Sequence, residues 1–250
     1  MLHVLYQDDW LVAIDKPPGL LVHRTGLDAG ETRFAMQMLR DQLGRHVWPV
    51  HRLDKGTSGL LLFALDADTA RLMGAVFESG TGLSKTYQAM VRGWPANEGC
   101  IDHPLKQLPD DTRDLRERIQ TAQTCFATLE RLALPISDGT HPDLRVARVA
   151  LQPLTGRRHQ LRRHMKHIAH PILGDATHGK GPLNRAVAEH VGLQRLWLHA
   201  TTLELNHPVT GAELLLQAPP GPEWAVWTGH ADGLANTQRT DHRASGGNAS

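Results

Sequence analysis

One carboxylate, Asp54, stands in the stretch HRLDKGTSG with Arg52 two residues ahead of it and Lys55 directly after it. A carboxylate framed by cations stays ionised and can serve as a nucleophile or a base. The same residue type also caps turns, where its oxygens accept bonds from nearby backbone N–H groups. Gly56 and Gly59 follow it and permit close approach of another chain. A second group lies in LTGRRHQLRRHMKHIAH, residues 154–170, where residues 157–166 hold five lysines or arginines and no acid. Wound as a helix, this stretch puts Leu161, Met165 and Ile168 on one apolar face and Arg158, His159, Arg162 and Lys166 on a basic flank. Arg158 and Arg162 are then one turn apart and repel, so a counter-anion is expected, either a protein carboxylate or a nucleic-acid phosphate. In a third stretch, LSKTYQAMVRGW, strand alternation sets Lys85, Tyr87, Ala89 and Val91 on one face. Tyr87 is then either core packing or a flat platform for an unstacked base.

Elements must hold these groups in place. HVLYQ, WLVAIDK, GLLLFALD and KTYQAMVRGW read as strands, while ETRFAMQMLRDQLGR and ADTARLMGAVFES carry apolar residues at helical spacing. Further on, QTCFATLERLAL, LRVARVALQPL, RLWLHATTLEL and AELLLQAP read as strands, with HPVTGAE a hairpin turn between the last two. RRHQLRRHMKHIA and LNRAVAEHVG read as helices. The nearly unbroken apolar run 60–65 predicts a central strand buried on both faces, and so a rigidly held loop at Asp54. Strands without regular βαβ alternation predict an α+β fold with a mixed, mostly antiparallel sheet and flanking helices. Residues 1–228 are expected to form one domain of two closely packed lobes. Residues 108–118 read as a polar surface connection, and the tail 229–250, almost without apolar residues, as disordered.

Composition narrows the function classes. At 250 residues and 40% hydrophobic content the chain can bury a sizeable core. No basic apolar leader opens it and no long apolar run interrupts it, so a cytoplasmic protein without a membrane segment is expected. Its two cysteines, Cys100 and Cys125, are too few for a disulfide framework or a cysteine zinc site, which points to a reducing compartment and no chemistry at either. Sixteen histidines invite a metal-dependent hydrolase. On a helix, though, His159 and His164 point about 140° apart. His164 and His167 could share a face, but residues 151–174 contain no acid to complete an open catalytic site with them, so no metal is expected. A net charge of +1 does not by itself predict a nucleic-acid partner, whereas the local excess at 157–166 favours a polyanion. A non-enzymatic RNA-binding module would use that excess and leave Asp54 unexplained.

Taken together, HRLDKGTSG, KPPG at residues 16–19, KTYQAMVRG, and TGRRHQLRRH followed by HPILGD resemble, in order, the motifs of the RluA-type pseudouridine synthases. The resemblance spans roughly residues 2–219. It implies the pseudouridine synthase fold with a central catalytic cleft, and a cofactor-free isomerisation of uridine in RNA. Asp54 matches the family's catalytic aspartate, Arg162 the arginine that pairs with it, and Tyr87 the tyrosine that packs against the flipped base. Arg52 matches the arginine that fills the space the base leaves, and Leu198 is expected to help wall the uracil pocket. From charge alone, Lys55, Arg158, Arg163 and Lys166 are candidates for phosphate contacts. Within the family, residues 5–24, 174–185 and 192–211 are more similar to the branch acting on uridine 65 of tRNA than to ribosomal relatives. The resemblance therefore implies tRNA as partner, with 23S ribosomal RNA as the alternative, and a monomer is expected.

Overall fold

The computed structural model describes residues 1–23, 30–108, 118–137 and 139–233, with side chains up to Thr228. The apolar runs form strands β1 (His3–Gln7), β2 (Leu11–Lys16), β3 (Trp48–Pro49), β4 (Ser58–Ala64) and β5 (Leu83–Arg92), then β6 (Glu98–Asp102), β7 (Leu105–Lys106) and β8 (Ile119–Gln120). Long strands β9 (Gln123–Leu134), β10 (Leu144–Pro153) and β11 (Leu198–Asn206) follow, and β12 (Glu213–Gln217) closes the set. One ten-stranded sheet runs β1-β2-β4-β11-β5-β10-β9-β6, with β3 paired to β4 and β12 to β11; β7 and β8 form a separate pair. Among the described strands only β4 and β11 pair in parallel, through His199↔Ser58 and Ala200↔Gly59. The fold is α+β with a mixed, mostly antiparallel sheet.

That parallel seam sits in the middle of the sheet and requires a glycine. Gly59 has φ +100°, and a Cβ there would meet the Ala200 carbonyl oxygen at 2.2 Å. All seven residues of β4 are buried, as expected for a strand covered on both faces.

Helices cover the sheet according to their apolar faces. Helix α1 (Ala35–Leu43) and α2 (Ala67–Ser79) pack with β2 and β4 around Leu39, Leu61, Phe63 and Met73. Asp66 caps α2 by accepting from the Thr69 N–H at 2.8 Å. Helix α3 (Gln160–His167) lays Leu161 and Met165 over Ala89, Val91, Val149 and Leu151. On the opposite face, Val187 of α4 (Gly181–Val191) shares a cluster with Met90, Val146 and Trp197, joined by Trp224 and Trp227. These two tryptophans belong to a 3-10 helix, Pro222–Gly233, that meets Trp197 edge-on.

Several boundaries differ from expectation. Helix α3 begins only at Gln160, because His159 ahead of it takes a left-handed backbone, φ 54°. Arg158 therefore lies outside the helix and is not stacked one turn from Arg162. The strand expected from Arg195 starts at Leu198, and just ahead of it the Trp197 N–H donates to the Leu173 carbonyl, outside any strand, at 3.0 Å. Cys100 and Cys125 face each other across β6 and β9, Cα atoms 4.0 Å apart, and form a disulfide; the expectation that neither carries chemistry is corrected by that register. No described helix is long and apolar enough to cross a membrane. Residues 109–117 of the expected surface connection and 234–250 of the expected tail lie outside the described residues, while 229–233 continue the 3-10 helix.

Candidate active site

A cleft of about 340 Å³ opens over the seam of the sheet. The loop before β4, the end of α2, the middle of β5, the start of β11 and the turn from β10 into α3 all contribute to its lining. Asp54 sits at the end of the first of these, with its carbonyl closing a turn onto the Thr57 N–H at 3.0 Å. Behind this loop, the fully buried Lys16 ammonium donates to the carbonyls of Pro17 and Leu20, at 2.9 and 2.8 Å, and reaches that of Lys55 at 3.3 Å. The Gly19 N–H donates to the same Lys55 carbonyl at 2.8 Å. Thus the KPPG turn is laced to the loop that carries the aspartate. Burial lowers the Lys16 ammonium to about 7, opposed by the charges of Asp54 and Asp15.

Across the cleft, Arg162 comes in from α3. Its Nη1 donates to Asp54 Oδ2 at 2.9 Å, while Nε and Nη2 form a two-pronged pair with Asp175 at 2.7 and 2.8 Å. Such a fork fixes the plane of the guanidinium as well as its charge. Asp175 is fully buried at its side chain and is itself held by the N–H groups of Thr177 and His178, both at 2.9 Å. Burial opposes ionisation of Asp175, but the Arg162 fork and the two N–H bonds outweigh it, and its carboxyl lies below the usual range. For Arg162, burial is likewise outweighed by the two carboxylates, and its pKa is raised. Gly174 lets this turn close up: its φ is +76°, and a Cβ there would overlap the Arg195 carbonyl.

Helix α3 is anchored at its start by a buried amide. Gln160 Oε1 accepts from the Thr155 hydroxyl and the Arg157 N–H, and its Nε2 donates to the Gln123 carbonyl and the Thr124 hydroxyl. The Thr124 hydroxyl in turn donates to His164 Nδ1 at 2.9 Å, and His164 Nε2 donates to the His103 carbonyl at 3.0 Å. His164 is thus a satisfied core histidine. No cluster of metal-ligating side chains occurs among the described residues.

Tyr87 of β5 lines the same cleft, opposite Leu151 of β10 and Ala200 of β11 in the ladder. Burial first, and then the Asp54 charge, raise its pKa, so the hydroxyl stays protonated. His159 Nε2 lies 3.8 Å from Asp54 Oδ1, beyond hydrogen-bond reach, and its Nδ1 contacts His178 Nε2 at 3.2 Å. Burial lowers His159 to about 4, and the Arg162, His178 and Arg158 charges add to this against Asp54.

The structure thus brings Asp54, Tyr87 and Arg162 to one cleft, with Arg52, Arg158 and Leu198 in its lining. Lys55, Arg163 and Lys166 are not in the lining, and Lys55 pairs with Glu31. Sequence reasoning missed Asp175: it stands in the HPILGD motif, but nothing in the spacing shows that its carboxylate reaches Arg162.

Residues 10–167 match the RNA pseudouridylate synthase family, and the chain belongs to this family of RNA-modifying isomerases. The match includes Lys16, Asp54, Tyr87 and Arg162 and stops short of Asp175. More particularly, the chain is 46% identical over 228 residues to tRNA pseudouridine synthase C of Vibrio cholerae, covering 90% of this chain and 93% of the relative. It is 48% identical to the protein of the same name from Haemophilus ducreyi, with the same coverage. Among solved structures it resembles human RNA Pseudouridylate Synthase Domain Containing 1, with TM-score 0.68, 25% identity and coverage of 88% and 84%. Human RNA Pseudouridylate Synthase Domain Containing 4 is also similar, with TM-score 0.65, 26% identity and coverage of 92% and 93%.

Proposed function

We propose that this chain converts uridine 65 of tRNA to pseudouridine, with Asp54 as its catalytic carboxylate. The observation that carries the reading is the Asp54–Arg162–Asp175 relay, which holds one carboxylate in an open cleft against a cation locked from behind. The choice of tRNA is supported by the name shared by its curated relatives.

The reaction breaks the bond from ribose C1′ to N1 of uracil, turns the base, and joins C1′ to C5; the C5 proton leaves and N1 takes one up. Nothing is oxidised or reduced, so a carboxylate suffices. Asp54 attacks the sugar or the base, or removes a ribose proton on a glycal route, with the Arg162 guanidinium donating to its Oδ2 at 2.9 Å. The base must first leave its stack. Arg52, exposed in the cleft lining, fills the space it vacates in this reading. Tyr87, kept protonated, offers a flat face and a hydroxyl to the flipped uracil, and Leu198 closes the pocket wall. Arg158 takes a phosphate at the rim, and Arg163 and Lys166 extend the positive surface along α3. Lys55 joins them by exchanging Glu31 for a phosphate.

Tritium release from C5 of labelled uridine tests this directly. Release from a tRNA transcript, lost when uridine 65 is replaced and lost in Asp54→Asn, is the expected result. Release only from 23S ribosomal RNA would keep the chemistry and overturn the substrate, and release undiminished in Asp54→Asn would remove Asp54 from its role.

A further inference from the structure

The cleft carries more positive charge than its own carboxylate can balance. Among the described residues Arg52, Lys85, Arg157, Arg158 and Arg162 line it, against Asp54 as the one acidic residue. Arg162 is satisfied by two carboxylates, and Arg157 donates to the Thr121 carbonyl at 3.0 Å. Lys85 differs from both. It projects from β5 on the face of Tyr87, two residues away, and its half-buried ammonium has no ion pair or hydrogen bond among the described residues. Its one close neighbour of note is the Phe77 ring, whose centroid lies 5.8 Å from Nζ. A cation beside an aromatic face gains only about 0.5–1 kcal/mol at such partly exposed sites, less than an ion pair to an anion in the same place.

Among the described residues the surroundings supply no acid to Lys85, and they leave room for an anion. His51 stacks on Phe77, rings 4.8 Å apart and 12° from parallel, and its Nε2 accepts from the Leu62 N–H at 3.0 Å. Burial and the Lys85 charge hold this histidine neutral, down to about 3, so it cannot offer a counter-charge. Burial likewise lowers Lys85, with no carboxylate to offset it. On the cleft side Nζ faces Gly156, where even an added Cβ would stay 4.0 Å away. Gly156 leads directly into Arg157 and Arg158. An ammonium partly stripped of water, unpaired, and opening onto a bare glycine turn beside two arginines is organised for an anion that arrives with the substrate.

We propose that Lys85 is a substrate-binding residue that takes a phosphodiester flanking the extruded uridine, in the corner bounded by Phe77 and Gly156. The inference rests on the reading of the chain as a tRNA uridine isomerase, and it adds a contact to the target nucleotide itself. The position suits this role: Lys85 is one strand repeat from Tyr87, about 7 Å along β5, comparable to the distance from a base to its own phosphate.

The test uses the full chain in the Asp54→Asn background for equilibrium binding of unmodified tRNA, and the active enzyme for turnover. Lys85→Met should weaken binding about tenfold at moderate salt, as for loss of one charge-assisted bond. It should also reduce the slope of log affinity against log salt by about 0.9, the value for one phosphate. Lys85→Arg should restore most of both. If Lys85→Met melts early, Lys85→Gln replaces it. A neutral methylphosphonate on the 5′ or the 3′ side of uridine 65 should weaken wild type by a similar factor and Lys85→Met no further. An unchanged salt slope, or losses from lysine and linkage that multiply at both positions, overturns the inference while the enzyme still modifies tRNA. Wild type that leaves tRNA unmodified overturns the function proposed above and this contact with it.

Discussion

Arg162 is the side chain on which the site depends most. Asp175 is fully buried at its side chain, so removing the guanidinium leaves a charge without its partner. Arg162→Met should destabilise the fold by about 3–5 kcal/mol, read from denaturant melts, and Arg162→Lys by less, since lysine keeps charge but not the fork. Arg158 has a different role at the rim. Arg158→Ala should weaken tRNA binding and lower its salt slope by about one unit with little change in melting. Lys16 supplies a pH dependence. Its ammonium falls from 10.5 in the unfolded chain to about 7 in the folded one. Between those values the unfolded state holds a proton that the folded state lacks, so this group makes stability rise with pH across that window and gives no slope below it. Lys16→Met should remove that part of the slope in melts between pH 7 and 10.

At the level of elements, the parallel contact of β4 with β11 decides where Asp54 sits. Ser58 begins β4 four residues after Asp54, and Gly59 is where the two strands come too close for a side chain. Gly59→Ala meets backbone rather than a movable side chain and also forces a left-handed residue. It should cost more than the about 1–2 kcal/mol of the conformational strain alone and lower turnover along with stability. The elements themselves were largely legible: α2 spans the residues its apolar spacing predicts, and β9 and β10 match the long alternating runs. Helix α3 was read too long because periodicity continues through 157–159, whereas the Gln160 amide bonds the Arg157 N–H and holds those residues in a turn.

For the whole molecule, a net charge of +1 conceals a cleft lined, among the described residues, by five cations and one acid. Binding of tRNA should therefore be strongly salt-dependent despite the near-neutral chain. The disulfide lies at the other end of the sheet, on edge strand β6, remote in strand order from the β4–β11–β5 seam. Reductant, or Cys100→Ser, should leave turnover within about twofold, as is usual for substitutions at surface positions away from a site. A larger loss would couple that edge to the cleft.

Sequence by itself determined the chemistry-bearing groups and the local elements. Asp54, Tyr87 and Arg162 stand in motifs whose residue types match a cofactor-free isomerisation, and apolar spacing of 2 or 3.6 residues is a local property that any stretch displays. Tertiary structure alone decided which distant groups meet. The Cys100–Cys125 pair depends on the register of β6 against β9, the Asp175 fork on a turn closing over Gly174, and the lack of an ion pair at Lys85 among the described residues on Phe77 and Gly156 being what it faces. Each of these is a contact, or the want of one, between residues far apart in the chain, and local periodicity carries no information about that.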